Sequence, residues 1–129
     1  MQVRNQQTPD SGRLEPGQGP SDVFDLAGTL KRLGGDRGLL SDLIKMFLED
    51  SPGLFDRMAG GLASKRCSQI QHAAHALRGL ASNFGASALI RTLQAIEDSA
   101  NQGKLDDLPG LIEQAQSEDS RLKIALRTC

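Results

Sequence analysis

The chain has 129 residues, which suits one domain of ordinary size and is too short for two. Its 15 Lys and Arg nearly cancel its 16 Asp and Glu, and it has neither Trp nor Tyr, so a nucleic-acid surface of basic patches and stacking aromatics has little to stand on. No apolar run approaches the roughly 20 residues of a membrane span, and the N-terminus has no apolar signal region, so the expectation is a cytoplasmic protein whose chain makes no membrane contact.

Residues 1–21 are rich in Gln, Gly, Pro and Ser and show almost no apolar periodicity, so they are expected to form a disordered arm or linker before a single helical domain over 22–129. They fit either the start of a free-standing protein or a linker within a longer chain. Ser21 or Asp22 is the expected cap of a short first helix with Val23, Leu26, Leu30 and Leu33 on one face, stopped by Gly34-Gly35. Asp36 caps the next helix, whose broad apolar face of Leu39, Leu40, Leu43, Ile44, Phe47 and Leu48 ends near Asp50. Ser51-Pro52 then has the cap-and-proline signature of a third helix, with Leu54, Phe55, Met58 and Leu62 inward and Gly60-Gly61 weakening its end.

A further helix is expected from about Ser64 to Asn83, with Gly85 as its breaker. Another follows over about Ala86 to Asn101, marked by Leu89, Leu93, Ile96 and Ala100 and closed by Gly103. The last begins around Asp106-Asp107, tolerates Pro109 in its first turn, and buries Leu111, Ile112, Ala115, Leu122 and Leu126. Nothing alternates like a strand with β-branched enrichment. Short connections between long helices therefore predict an all-α fold, an up-down antiparallel four-helix bundle with one or two additional short N-terminal helices. Cys67 and Cys129 are poorly placed to pair and lack metal-ligand spacing, so both are expected as reduced thiols.

The informative stretch lies in the Ser64–Asn83 helix. Cys67, Ile70, Ala74, Leu77, Ala81 and Phe84 recur at three- and four-residue steps and make its buried stripe. At about 100° per residue, His75 lies roughly 130° from the centre of that stripe, with His72, Ser68 and Gly79 farther round still. His75 should therefore meet solvent. Gly79, one turn beyond it, costs roughly 0.5–1 kcal/mol relative to Ala in a helix interior, and its obvious use beside an exposed imidazole is room for another molecule. Arg78, at i+3 from His75, places a permanent positive charge and a fork of donors near anything anionic on the ring.

Ala74-His75-Ala76-Leu77-Arg78-Gly79, followed after five intervening residues by Gly85-Ala86, resembles the histidine-phosphotransfer (HPt) family of phosphorelay proteins, whose pattern is roughly A-H-x-L-K-G, then four to five residues, then G-A. Arg78 stands where Lys is usual, which keeps the charge. Upstream, Leu33-Gly34-Gly35-Asp36, Leu39-Leu40 and Met46 to Pro52 look like the family's entry segment, and downstream Glu97 stands where the family often has Glu or Gln. The likeness spans about residues 22 to 126.

The resemblance implies a phosphorelay intermediate. His75 would accept a phosphoryl group from a receiver-domain aspartate and pass it to another, Arg78 would stabilise the phosphate, and Gly79, Ser68, Gln71, His72 and Ser82 would form the receiver docking surface. Imidazole has a nucleophilic nitrogen suited to this exchange. Phosphoryl transfer is mostly positioning and charge stabilisation. The sequence has no glycine-rich ATP loop, Walker-type lysine motif or kinase signature, so the chain is expected to be a carrier and not a kinase. No cofactor is expected in this chain; Mg²⁺ would belong to the partner receiver domain. The implied partners are response-regulator receiver domains and a sensor histidine kinase of hybrid type, and the chain itself is expected to be a monomer.

Glu97 has a geometric expectation of its own. His75 lies ten residues before Gly85 and Glu97 twelve after it, so antiparallel packing about that turn makes them neighbours. A carboxylate accepting from Nδ1–H would then leave Nε2 free as nucleophile. Two other readings of the same residues stand beside this one: a non-catalytic helical adaptor, and a metal-binding helical domain using His72 and His75, for which only two ligands are in view where zinc sites have three or four.

Overall fold

The computed structural model describes residues 21–129; the arm expected over 1–21 lies outside the described residues except for Ser21. The helices are α1 (Leu26–Arg32), α2 (Arg37–Ala63), α3 (Cys67–Ser82), α4 (Ser87–Asn101) and α5 (Leu108–Arg127), with one 3₁₀ turn at Leu105–Asp107 before α5. No strand occurs among the described residues. Helices α2 to α5 make the up-down four-helix bundle, in which α3 packs on α2 and α4, and α5 on α4 and α2. The short α1 lies against α2.

Asp36 caps α2 by accepting from the Leu39 N–H at 3.0 Å. The first helix begins later than expected: its cap is Asp25, which accepts from the Gly28 N–H at 3.0 Å, while the Ser21 hydroxyl accepts from Val23 N–H in a local turn. Residues 22–25 instead run along the bundle's end. Asp25 N–H donates to Phe84 O at 2.9 Å and Ala88 N–H to Asp22 O at 2.9 Å. Phe84 is fully buried and meets Phe24 and Phe47 edge-to-face at 6.0 and 5.7 Å, which joins the entry segment, α2 and the α3–α4 turn in one cluster.

The two helices expected either side of Ser51-Pro52 are one. Phe47, Ser51, Leu54, Met58 and Gly61, all buried, recur at alternating four- and three-residue steps, so a single stripe continues through the proline. Pro52 withholds only one N–H, and burial of that stripe against α3 offsets its local cost of about 3 kcal/mol. At Gly61 α2 and α3 approach closely: a Cβ there would stand 2.8 Å from Ile70 Cγ1. The third expected boundary also moves, because Lys65 has φ of 58°, which no helix interior tolerates; Ser64 to Arg66 form the turn and α3 starts at Cys67.

Most of the expected inward positions are buried, with Met58, Ile70, Leu77, Leu93, Ile96 and Leu122 at 0 % exposure. Leu39 is not: it is 43 % exposed, because it lies in the first turn of α2. Cys67 is half-buried and Cys129 exposed, both free. No helix among the described residues is long and apolar enough to cross a membrane.

Candidate functional site

Gly85 makes the site possible. Its φ is +58°, and a Cβ there would lie 3.0 Å from Asp25 Cβ, so both conformation and space call for glycine at this turn. The turn folds α4 back along α3, with Ala86 buried beneath it. Ten residues up α3 is His75, and twelve along α4 is Glu97.

These two side chains touch. Glu97 Oε1 lies 3.0 Å from His75 Nδ1. A carboxylate can only accept, so this contact is attractive when Nδ1 carries the hydrogen, which in the neutral ring leaves the lone pair on Nε2. Arg78 closes the arrangement: its Nε donates to Glu97 Oε2, and its Nη2 lies 3.3 Å from Glu97 Oε1 and 3.1 Å from His75 Nδ1. The histidine side chain is 69 % exposed and the glutamate's is 9 % exposed. One end of the constellation is therefore packed and held, while the imidazole edge faces solvent.

Burial works to raise the Glu97 pKa, but hydrogen bonds from Arg78 and His75 and their charges outweigh it and hold the carboxyl below its ordinary value. The Arg78 pKa is raised, first by its hydrogen bond to Glu97 and against the opposing effect of burial. Arg78 meets the carboxylate with Nε and Nη2, which leaves the Nη1 donors outside that contact.

Around the imidazole, Ser68, His72, Gly79 and Ser82 are exposed, and Gln71 is half-buried. Ser82 Oγ donates back to Arg78 O at 2.7 Å. Among the described residues nothing lies within 4 Å of where a Gly79 Cβ would stand, so their packing does not require that glycine. Two open grooves between α2 and α3 run along the α2 side of the exposed face. One is lined by Glu49, Asp50, Gly53, Leu54, Arg57, Ala76 and Leu80, and the other by Arg57, Arg66, Ser68, Gln69, His72 and Ala73. Sequence reasoning missed the α2 side of this surface; its only trace is the run of small and charged residues opposite the buried stripe. Among the described residues, no group of three or more His, Cys, Asp or Glu side chains could hold a metal ion.

The family model described as Hpt domain matches residues 42–127, about two thirds of the chain. The chain belongs to the Hpt family. No curated protein matches the sequence significantly. Among solved structures, this Hpt domain is similar to the crystal structure of histidine-containing phosphotransfer protein B (HptB) from Pseudomonas aeruginosa, at 25 % identity and a TM-score of 0.76, over 82 % of this chain and 92 % of that one. It is also similar in fold to the HPT domain of an Hpt sensor hybrid histidine kinase from Shewanella, at 18 % identity and a TM-score of 0.71, over 83 % and 92 % of the two chains. The Hpt domain's role is histidine phosphotransfer in a phosphorelay.

Proposed function

We propose that His75 is the phosphoryl acceptor of this Hpt domain, and that Nε2 takes the group from a receiver-domain aspartate and returns it to the aspartate of another. The observation that carries the reading is the pairing of an exposed imidazole with a buried carboxylate at Nδ1. Nucleophilic attack needs the Nε2 lone pair directed outward, and Glu97 favours the tautomer that supplies it. Positive charge that develops on the ring during attack is met by the same carboxylate. Arg78 keeps Glu97 in place, and its Nη1 donors are on hand for the phosphoryl oxygens.

The docking surface in this reading comprises Ser68, Gln71, His72, Gly79 and Ser82, with the α2–α3 grooves along its α2 side. A receiver approaches along the imidazole, and the absent side chain at Gly79 gives its active-site rim room. The partners are receiver domains and a hybrid sensor kinase; Mg²⁺ belongs to the receiver. The chain acts as a monomeric cytoplasmic carrier and has no ATP site of its own. A receiver phosphorylated on its aspartate, mixed with the wild-type chain and Mg²⁺, should leave an acid-labile, base-stable phosphoryl group on this protein, the signature of an N–P bond. Stable association with a receiver but no such label would favour the helical adaptor instead.

A further inference from the structure

The Nδ1 atom of His75 has two neighbours with opposite needs. Glu97 Oε1, at 3.0 Å, can only accept, and Arg78 Nη2, at 3.1 Å, can only donate. One ring nitrogen satisfies one of them at a time: with a hydrogen it donates to Glu97, and without one it accepts from Arg78. We propose that Nδ1 changes its hydrogen-bond partner from Glu97 to Arg78 when the phosphorylated ring loses its proton, and that the balance between these two residues sets how long the phosphoryl group is held. This rests on the reading of His75 as acceptor.

The neutral ring, with hydrogen on Nδ1, attacks phosphorus through Nε2; the N–P bond forms as the P–O bond to the receiver aspartate breaks, and the aspartate carboxylate keeps the bonding pair. The ring is then an N-phosphoimidazolium that still carries Nδ1–H. Loss of that proton to water gives a neutral N-phosphoimidazole with a lone pair on Nδ1. Onward transfer from the protonated form releases a neutral imidazole, whereas transfer from the unprotonated form would have to release an imidazolide anion. The protonated form therefore transfers and the unprotonated form stores. Glu97 stabilises the first and Arg78 the second.

The geometry lets the exchange occur without backbone movement. Arg78 Nη2 is already 3.3 Å from Glu97 Oε1 and 3.1 Å from Nδ1, and it carries two N–H groups, so it can donate to a deprotonated Nδ1 while the Nε bond to Oε2 keeps the guanidinium anchored. Glu97 is only 7 % exposed, so water does not readily replace it at Nδ1, whereas Arg78 meets the ring on its solvent side. The other charged or titratable groups on the surrounding elements are His72, one turn before His75 on α3, Asp98 on α4, which acts on Arg78, and Asp50 and Arg57 on α2, which line the groove beside Ala76. Among the described residues, only Glu97 and Arg78 hydrogen-bond to the ring.

The test uses the whole chain labelled with ¹⁵N-histidine and phosphorylated from a receiver domain that is then removed. Proton–nitrogen NMR at neutral pH reads the fraction of phosphorylated His75 that carries hydrogen on Nδ1, and loss of label reads the lifetime. Glu97→Gln, whose amide can serve either ring state, should lower the protonated-to-unprotonated ratio and lengthen the lifetime by roughly threefold, the gap between a charged and a neutral acceptor. Arg78→Gln should raise the ratio and shorten the lifetime. A ratio unchanged in both variants, or moved the same way by both, overturns the proposal while leaving His75 as acceptor. A wild type that takes no phosphoryl group on His75 overturns the acceptor reading and this inference with it.

Discussion

Glu97 Oε1 sits 3.0 Å from His75 Nδ1 although the two residues are 22 positions apart in the chain. The contact exists because Gly85 reverses the chain between them, and it ties the orientation of an exposed ring to a buried acid. Glu97→Ala should slow phosphoryl transfer to a receiver by on the order of tenfold, the worth of one charge-assisted hydrogen bond, without abolishing it. Glu97→Gln should be milder, since the amide oxygen still accepts. Single-turnover transfer measures both, and an alanine variant as fast as wild type would remove Glu97 from the account.

Gly79 offers a cleaner separation of function from stability. Open space surrounds its Cβ position, so Gly79→Gln should fit and raise stability by roughly 0.5–1 kcal/mol through helix propensity. Transfer should nevertheless fall, because the new side chain stands where a receiver docks. Thermal melts and transfer rates on the same sample decide it: a loss of stability that tracks the loss of transfer would make Gly79 a structural residue.

These two positions were readable from sequence for different reasons. His75 announced itself by helical phase, since the stripe Ile70, Ala74, Leu77, Ala81 fixes which side is buried. Glu97 needed only the antiparallel turn at Gly85 and a count of residues to either side. Pro52 misled, because a local signature of a helix start is weaker than a continuous stripe from Phe47 to Gly61. Glu118 and Asp119 could not have been recognised as buried from their residue type. Nor could the α2 residues that share a groove with Ala76 and Leu80, Arg57 and Asp50 among them, since tertiary packing alone brings them there.

Two of the buried acids, Glu97 and Asp119, predict opposite pH dependences. The Glu97 carboxyl is held below its ordinary value near 4.5, so its ion pair contributes stability above that value and loses it as pH falls through the lowered one. For Asp119, burial raises the pKa above 3.8 against the opposing Lys123 ammonium at 3.0 Å, so stability present below 3.8 is lost as pH rises through the raised value. Between about pH 3 and pH 7, the melting temperature of Glu97→Gln should fall relative to wild type, and that of Asp119→Asn should rise relative to wild type. Melts of the three proteins across that range measure both trends, and parallel curves would contradict them.

Pro52 is exposed inside α2, and its ring leaves the Leu48 carbonyl without its helical donor. Pro52→Ala should restore that bond and raise stability by about 2 kcal/mol, the interior proline cost of about 3 kcal/mol less the roughly 0.4–1 kcal/mol of entropy the unfolded chain regains. Urea unfolding reads the change. A destabilised alanine variant would mean that the proline shapes a bend the bundle needs.

The most direct test of the central claim compares the two histidines of α3. After incubation with a phosphorylated receiver and Mg²⁺, wild type and His72→Gln should both carry an acid-labile, base-stable phosphoryl group, and His75→Gln should carry none while melting as wild type does. Labelling that survives in His75→Gln and disappears in His72→Gln would contradict the assignment of His75 as the carrier.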